Sequence, residues 1–170
     1  MVVIATDFWR ESIDAVRRLG ARAVLLAGPD NAPALERELQ RESRGRSRDI
    51  IALDRAPHSL LFHRASAVVQ QCGIGTLAQS LRSGRPMLGV PYSHDQPDNA
   101  LRARALGMAR VVYPSRYRGA KVAGELQTLL TDRRYGAAAE RVAETVRSEG
   151  GVMSACDALE RTFGLTSHAQ

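Results

Sequence analysis

Residues 67–96, AVVQQCGIGTLAQSLRSGRPMLGVPYSHDQ, contain most of the side chains whose types and spacing could do chemistry. Three apolar residues at 67–69 precede a glycine turn at 73–76, GIGT, and an amphipathic stretch follows at once. This order predicts a strand leading into a helix N-terminus, where free backbone N–H groups and the helix dipole favour an anion. Alone, such a turn is ambiguous, because many tight strand-to-helix turns contain glycine and bind nothing.

A polar cluster, His94-Asp95-Gln96, follows a second apolar segment, Pro86–Val90. A carboxylate and an amide together can accept from and donate to neighbouring hydroxyl groups, as sugar binding requires. A phosphate-binding turn followed by hydroxyl-binding groups suits a ligand with a diphosphate and a sugar, so a nucleotide-sugar is the predicted ligand. The alternative is that Asp95 only caps the helix that begins near Gln96.

The whole segment resembles the donor-binding signature of nucleotide-diphospho-sugar glycosyltransferases with the two-domain B-type fold. Similar families are the macrolide, glycopeptide and sterol glycosyltransferases and, more distantly, the UDP-glucuronosyltransferases. The bacterial signature runs roughly V-V-H-H-G-G-x-G-T-x-x-E-x-L-x-x-G-x-P-x-x-x-x-P-x-x-x-D-Q-x-x-N-A. The matches in register are Val68-Val69, Gly73, Gly75-Thr76, Leu81, Gly84, Pro86, Pro91, Asp95-Gln96 and Asn99-Ala100.

The resemblance implies that Gly73, Gly75 and Thr76 bind the diphosphate; otherwise Thr76 is simply the helix N-cap. Gln71 stands where the family has a diphosphate-binding His, and Gln79 stands where it has a Glu that holds the ribose hydroxyls. A neutral Gln still donates hydrogen bonds, but it brings no positive charge to the phosphates. These two departures predict weakened donor binding or a changed nucleotide preference.

The remaining implied subsites contact the base and the donor sugar. The segment containing Arg55, Pro57 and His58 resembles the loop that packs on the nucleotide base, and an arginine guanidinium can stack on a base. A polar loop before a short helix explains this segment equally well. The residues that correspond to the family's donor-sugar group are His94, Asp95 and Gln96.

Apolar periodicity predicts an α/β fold, a Rossmann-like parallel sheet with helices on both faces. The predicted strands are 23–27, 49–53, 67–69, 86–90 and 109–112, and the predicted helices are 7–19, 33–41, 59–64, 76–83 and 96–106, with three C-terminal helices near 119–131, 133–148 and 151–163. Ligands of such sheets bind at the carboxyl ends of the strands. The glycine turn, the 94–96 cluster and the Pro57-His58 loop are therefore expected to converge on one crevice.

At 170 residues, the chain is predicted to form a single donor-binding domain over 1–170, with C-terminal helices at about 119–163. The resemblance implies that this is the C-terminal half of a two-domain enzyme, with its usual first strand missing. The acceptor-binding N-terminal domain is then expected in cis, from a longer gene, or as a separate chain.

Composition excludes several other classes. The net charge is +6, but the arginines are scattered beside acidic residues and aromatics make up only 5%, which argues against a nucleic-acid surface. The one basic cluster, Arg41 to Arg48, is typical of a solvated loop. Two distant cysteines predict neither a disulfide framework nor a metal site. The sequence shows neither a membrane span nor a signal pattern, so a cytoplasmic protein is predicted.

The resemblance implies that the chain binds the donor in a hexosyltransferase that moves a hexose from a nucleoside-diphosphate sugar to an acceptor hydroxyl with inversion. No other cofactor is expected, and no residue is assigned as a catalytic base. The isolated chain is expected to be inactive. The alternatives are a non-catalytic nucleotide-sugar-binding module or relic, and a nucleotide-sugar epimerase of similar architecture.

Overall fold

A computed structural model of the chain describes residues 3–43 and 49–164. Five short strands alternate with helices, as the apolar periodicity predicts. The strands are β1 Ala23–Leu26, β2 Ile50–Leu53, β3 Val68–Gln70, β4 Met87–Gly89 and β5 Ala109–Val111. The α-helices are α1 Val3–Leu19, α2 Gly28–Ser43, α3 His58–Leu61, α4 Ile74–Ser83, α5 Gln96–Ala105, α6 Gly119–Thr131, α7 Arg133–Ser148 and α8 Gly151–Phe163. Single 3-10 turns cover Phe62–Arg64 and Pro114–Arg116.

All of the strand pairs are parallel, but the strands form two sheets and not the single sheet predicted. One sheet has two strands in the order β1-β2, and the other has three in the order β3-β4-β5. Helix α1 joins them, because Ile13 packs with Leu25 of β1 while Ala15 packs with Leu88 of β4. The two sheets therefore share a covering helix without sharing a backbone ladder.

The three-stranded sheet has helices on both faces, as predicted. Leu88 of β4 faces the side of α1 and α6, where it packs with Val122 and Leu126. Its neighbour Met87 points to the opposite side and packs with Phe62 and Leu77. Both β4 side chains are fully buried, which is the pattern of a central strand in a parallel sheet.

The two-stranded sheet is covered more fully on one face than on the other. Leu25 and Ile50 pack against α1 and α2, whereas Val24 and Leu53 on the other face are each 38% exposed. The reason is the short connection between β2 and β3. Its helix α3 has four residues, and Phe62 of the following 3-10 turn packs on the other sheet.

Some predicted boundaries also shift. Helix α2 begins at Gly28, five residues before the predicted start at 33, and contains Pro33 within it. Most of the Arg41–Arg48 cluster, residues 44–48, lies outside the described residues. The three C-terminal helices occupy the predicted ranges. Within the described chain, no helix combines the length and the apolar character that crossing a membrane requires.

Candidate functional site

The glycine turn joins the end of β3 to the start of α4. Gly73 is the N-cap residue, and the first intrahelical bond runs from the Leu77 N–H to the Gly73 carbonyl at 2.9 Å. The three preceding N–H groups, of Ile74, Gly75 and Thr76, have no acceptor within the helix, and no side chain caps it. The alternative in which Thr76 is the N-cap is wrong, because Thr76 is the third residue of the helix.

The local backbone does not require the two glycines of this turn. Gly73 has φ −62°, an ordinary value for any residue. A Cβ on Gly75 would meet no heavy atom within 4 Å, and a Cβ on Gly73 would meet only the Gln71 amide, at 3.6 Å. The small size of both residues instead leaves the surface above the free N–H groups open to a ligand.

The strained residue of the turn is Cys72, with φ +70°. Its thiol is fully buried, and burial raises its pKa to about 11, so it is no nucleophile at neutral pH. The Gln70 side chain supports the turn from below: its amide oxygen accepts from the Cys72 N–H at 3.1 Å, and its amide nitrogen donates to the Ser80 hydroxyl at 3.0 Å. Gln70 is therefore a buried part of the scaffold.

Gln71 precedes the free N–H groups along the chain, and Gln79 follows them. Gln71 is exposed, and its amide nitrogen lies close to Gly73. Gln79 is exposed on α4 one turn after Gly75, and positions four residues apart share a helix face. Gln71, Thr76 and Gln79 thus place uncharged hydrogen-bonding groups in the turn and in the first two turns of α4.

The predicted sugar-binding cluster follows β4, beside the turn. The Gln96 amide oxygen accepts from the Tyr92 N–H at 2.8 Å, which folds the loop back on itself. His94 has φ +57° and is exposed, with Nδ1 2.8 Å from the Ser93 hydroxyl. Asp95 is the N-cap residue of α5, yet its side chain makes no capping hydrogen bond. The capping alternative therefore does not account for its carboxylate.

Asn99 connects this cluster to the glycine turn, a connection that no sequence pattern predicts. Its amide nitrogen donates to the Cys72 carbonyl at 3.0 Å and to the Asp95 carboxylate at 2.7 Å. The glycine turn and the Asp95 loop therefore meet at one edge of the three-stranded sheet. The match of Asn99-Ala100 to the end of the signature was the signal available in the sequence.

The predicted base-binding loop follows β2, in the other sheet. His58 begins α3 and stacks on Phe62 with ring centroids 4.5 Å apart, and α3 packs against α4. Arg55 is exposed, with Asp54 as its ion-pair partner at 3.5 Å, and Pro57 is the N-cap residue of α3. This loop leads into α3, which contacts α4, the helix that begins at the glycine turn.

The turn lies on an open surface. Two cavities of about 270 and 510 Å³ lie elsewhere, one lined by Gly84, Arg85 and Glu140 and the other by Arg104, Arg110 and Tyr135. Over residues 3–43 and 49–164, no group of three or more His, Cys, Asp or Glu side chains is arranged to hold a metal ion. The arrangement places backbone N–H groups that have no acceptor within the helix beside exposed, uncharged side chains on an open surface.

Comparisons with known proteins agree with this geometry. The O-mycaminosyltylonolide 6-deoxyallosyltransferase of Streptomyces fradiae is 32% identical over 151 residues, which cover 88% of this chain and 32% of that protein. The chain thus spans about a third of that relative's length. The crystal structure of the kitacinnamycin glycotransferase, 22% identical, superposes with a TM-score of 0.74 over 91% of this chain and 38% of that one, which shows the shared fold.

Glycosyltransferase VinC, solved in complex with dTDP, is 26% identical and superposes with a TM-score of 0.57 over 64% of this chain and 28% of its own. The family profile described as "Glycosyltransferase family 28 C-terminal domain" matches residues 14–151. These findings confirm the predicted resemblance and the α/β fold. Since the profile covers most of the sequence, the chain belongs to the family of glycosyltransferase family 28 C-terminal domains.

Proposed function

We propose that this domain binds the diphosphate of a nucleotide-sugar donor at the N-terminus of α4. The observation that carries the proposal is the pair of glycines at 73 and 75, which the backbone does not require and which leave the N–H groups of residues 74–76 accessible. Aligned N–H groups and the helix dipole favour a bound anion. The Thr76 hydroxyl and the Gln71 amide add two further donors.

The other predicted residues contact the ribose, the base and the sugar of the donor. Gln79 faces the ribose, because it lies one turn along α4 from Gly75. Arg55, Pro57 and His58 flank the base, a role supported by the packing of α3 against α4. The sugar hydroxyls meet His94, Asp95 and Gln96. Because this set contains no cation beside the phosphates, we expect weak binding of the nucleotide alone.

The reaction that the domain serves is transfer of a hexose from a nucleoside-diphosphate sugar to an acceptor hydroxyl, with inversion. The acceptor pocket and the general base belong to an N-terminal domain, in cis or as a separate chain. Two observations support this: the chain spans 32% of the Streptomyces fradiae relative, and the glycine turn lies on an open surface. The donor is a substrate, and the proposal needs no cofactor. A cytoplasmic location stays a prediction.

The family membership favours this function over a nucleotide-sugar epimerase. A non-catalytic binding module and a relic would both share the fold, but the turn of a binding module would bind nucleotide. A relic would bind none.

The test is titration calorimetry of the chain with millimolar thymidine diphosphate and uridine diphosphate. Thymidine diphosphate is included because VinC was solved with dTDP. The expected result is weak, saturable binding of at least one nucleotide. Gly75→Leu should abolish it, because the added side chain stands where the phosphates approach.

Gly124→Leu is the matched control. Gly124 lies in α6, and a Cβ there also meets no heavy atom within 4 Å. Leucine favours a helix over glycine, so neither variant should lose its fold, which circular dichroism checks. Equal binding by both variants, or no heat from the parent chain with either nucleotide, would overturn the proposal.

A further inference from the structure

We propose that Asn99 is a positioning residue that joins the diphosphate-binding turn to the sugar-binding loop, so that the two subsites act as one unit. This inference rests on the proposed function and adds Asn99 to the residues of the donor site. The observation is the pair of hydrogen bonds from one amide nitrogen to the Cys72 carbonyl and the Asp95 carboxylate.

The first bond fixes the direction of a backbone N–H in the turn. The Cys72 carbonyl and the Gly73 N–H belong to one planar trans peptide, so they point in opposite directions. Holding the carbonyl from the Asn99 side therefore turns the Gly73 N–H away from Asn99. Cys72 is in the left-handed region at φ +70°, which is costly for a residue with a side chain, so the turn needs such an external restraint.

The second bond fixes the Asp95 carboxylate. Asn99 takes Oδ2, at 2.7 Å, and leaves Oδ1 to face a ligand hydroxyl. Asp95 is exposed and does not cap its own helix, so the bond to Asn99 is the restraint on its orientation that the described residues provide. A charge-assisted bond of this kind is stronger than one between neutral groups.

Only an amide of this length performs both tasks. The NH₂ group has two hydrogens, one for each acceptor, and the partly buried side chain reaches across 27 positions of sequence. Aspartate has the same shape but donates to neither acceptor and would place a second carboxylate beside Asp95. Asn99→Asp therefore removes both bonds at nearly constant volume, and Asn99→Ala removes them without adding charge.

The first arm of the test needs no ligand. Backbone amide resonances of the labelled chain are compared with those of Asp95→Ala, in the parent and in the Asn99→Ala background. If Asn99 joins the loops, Asp95→Ala shifts the Gly73–Thr76 resonances in the parent and leaves them unchanged once Asn99 is gone. Equal shifts in both backgrounds would overturn the proposal.

The second arm measures affinity for thymidine diphosphate and for a thymidine-diphosphate hexose. Asn99→Ala and Asn99→Asp should weaken the nucleotide-sugar by roughly tenfold and reduce its advantage over the nucleotide. A purely structural role would lower the melting temperature and leave that advantage intact. The control is Asp98→Asn on the same helix, which removes only the exposed pair with Arg102 and should change neither affinity.

The two proposals fail in different ways. If the parent chain binds no nucleotide, the proposed function is contradicted and the resonance arm still decides whether Asn99 couples the loops. If the parent binds and the Asn99 variants keep the full advantage of the nucleotide-sugar, the coupling is contradicted while the binding site stands.

Discussion

At the scale of single residues, the site differs from its family mainly in charge. Gln71 lies close to Gly73 and Gln79 lies one turn along α4, so both occupy the surface on which a donor would lie. Each has an amide where the resemblance places an ionisable side chain. The two amides donate and accept hydrogen bonds but bring no charge to this surface.

We therefore predict that Gln71→His with Gln79→Glu tightens nucleotide-sugar binding. Each change strengthens a hydrogen bond to a phosphate or a ribose hydroxyl, worth roughly 1–2 kcal/mol. Calorimetry of the double variant beside the parent measures the gain. If the double variant binds no better, the shape of the site has changed as well as its charge.

The sequence predicts the exposed residues of the turn and of the 94–96 loop better than the buried or bridging residues that support them. Gly73, Gly75 and Asp95 follow from a strand-turn-helix pattern and a signature in register. The positive φ of Cys72 and the bridging hydrogen bonds of Asn99 arise where two loops distant in sequence pack together. Local sequence propensities do not indicate such packing. Gln70 looks like Gln71 in the sequence, and only the end of β3 decides that one is buried and the other exposed.

At the scale of the elements, the β3–α4 turn packs closely against strand β4, with Cys72 of the turn next to Gly89 of the strand. A Cβ on Gly89 would lie 2.7 Å from the buried sulfur of Cys72, closer than real Cβ contacts permit. We predict that Gly89→Ala lowers the free energy of unfolding by about 1–3 kcal/mol through overpacking. Cys72→Gly in the same chain should restore most of the loss, because it removes the atom that clashes.

Chemical denaturation of the parent, both single variants and the double variant gives the coupling between the two positions. Additive effects would contradict the contact, and so would a Gly89→Ala variant as stable as the parent.

A second link joins strand β5 to helix α6. Burial alone would raise the pKa of Glu125, but hydrogen bonds from Arg110 and Lys121 outweigh it and lower the pKa below its usual value. The Lys121 bond is 2.6 Å, and the Glu125 side chain is only 10% exposed. A lowered folded-state pKa adds stability above the unfolded pKa of 4.5, and that stability is lost as pH falls through the folded value.

We predict that the parent loses stability more steeply than Glu125→Gln as the pH falls from about 5 towards 3. At neutral pH the variant should be less stable, because the amide leaves Arg110 poorly paired. Thermal unfolding at a series of pH values measures both effects. Parallel curves for the two proteins would contradict the assignment.

The elements also show where local patterns stop predicting architecture. Alternating apolar runs were enough to place the five strands and most of the helices. They could not show that β1-β2 and β3-β4-β5 form separate ladders, because strand pairing depends on which backbones are adjacent in space. Val24 and Leu53 show the same limit: their sequence is that of a buried strand, yet each is 38% exposed, and the β2–β3 connection contains only the four-residue helix α3 and a 3-10 turn.

At the scale of the whole molecule, the proposed donor site lies on an open surface of the described residues. We predict that the isolated chain transfers no sugar to any acceptor. A general base must lie within hydrogen-bond reach of the acceptor hydroxyl, and water would fill a cleft with one wall. Incubation with labelled nucleotide-sugars and a panel of hydroxylated acceptors should give no glycoside, with slow donor hydrolysis as the upper limit. Robust product formation would show that this chain contains the catalytic machinery.

The most direct measurement of the central claim is a titration of the isotope-labelled chain with thymidine diphosphate, followed through its backbone amide resonances. The turn at the start of α4 predicts saturable shifts that are largest at Ile74, Gly75 and Thr76, whose N–H groups have no acceptor in the helix. Smaller shifts should reach Gln71 and Gln79. The absence of shifts at millimolar nucleotide, or shifts centred on the arginine-lined cavity between β5 and α7, would contradict diphosphate binding at this turn.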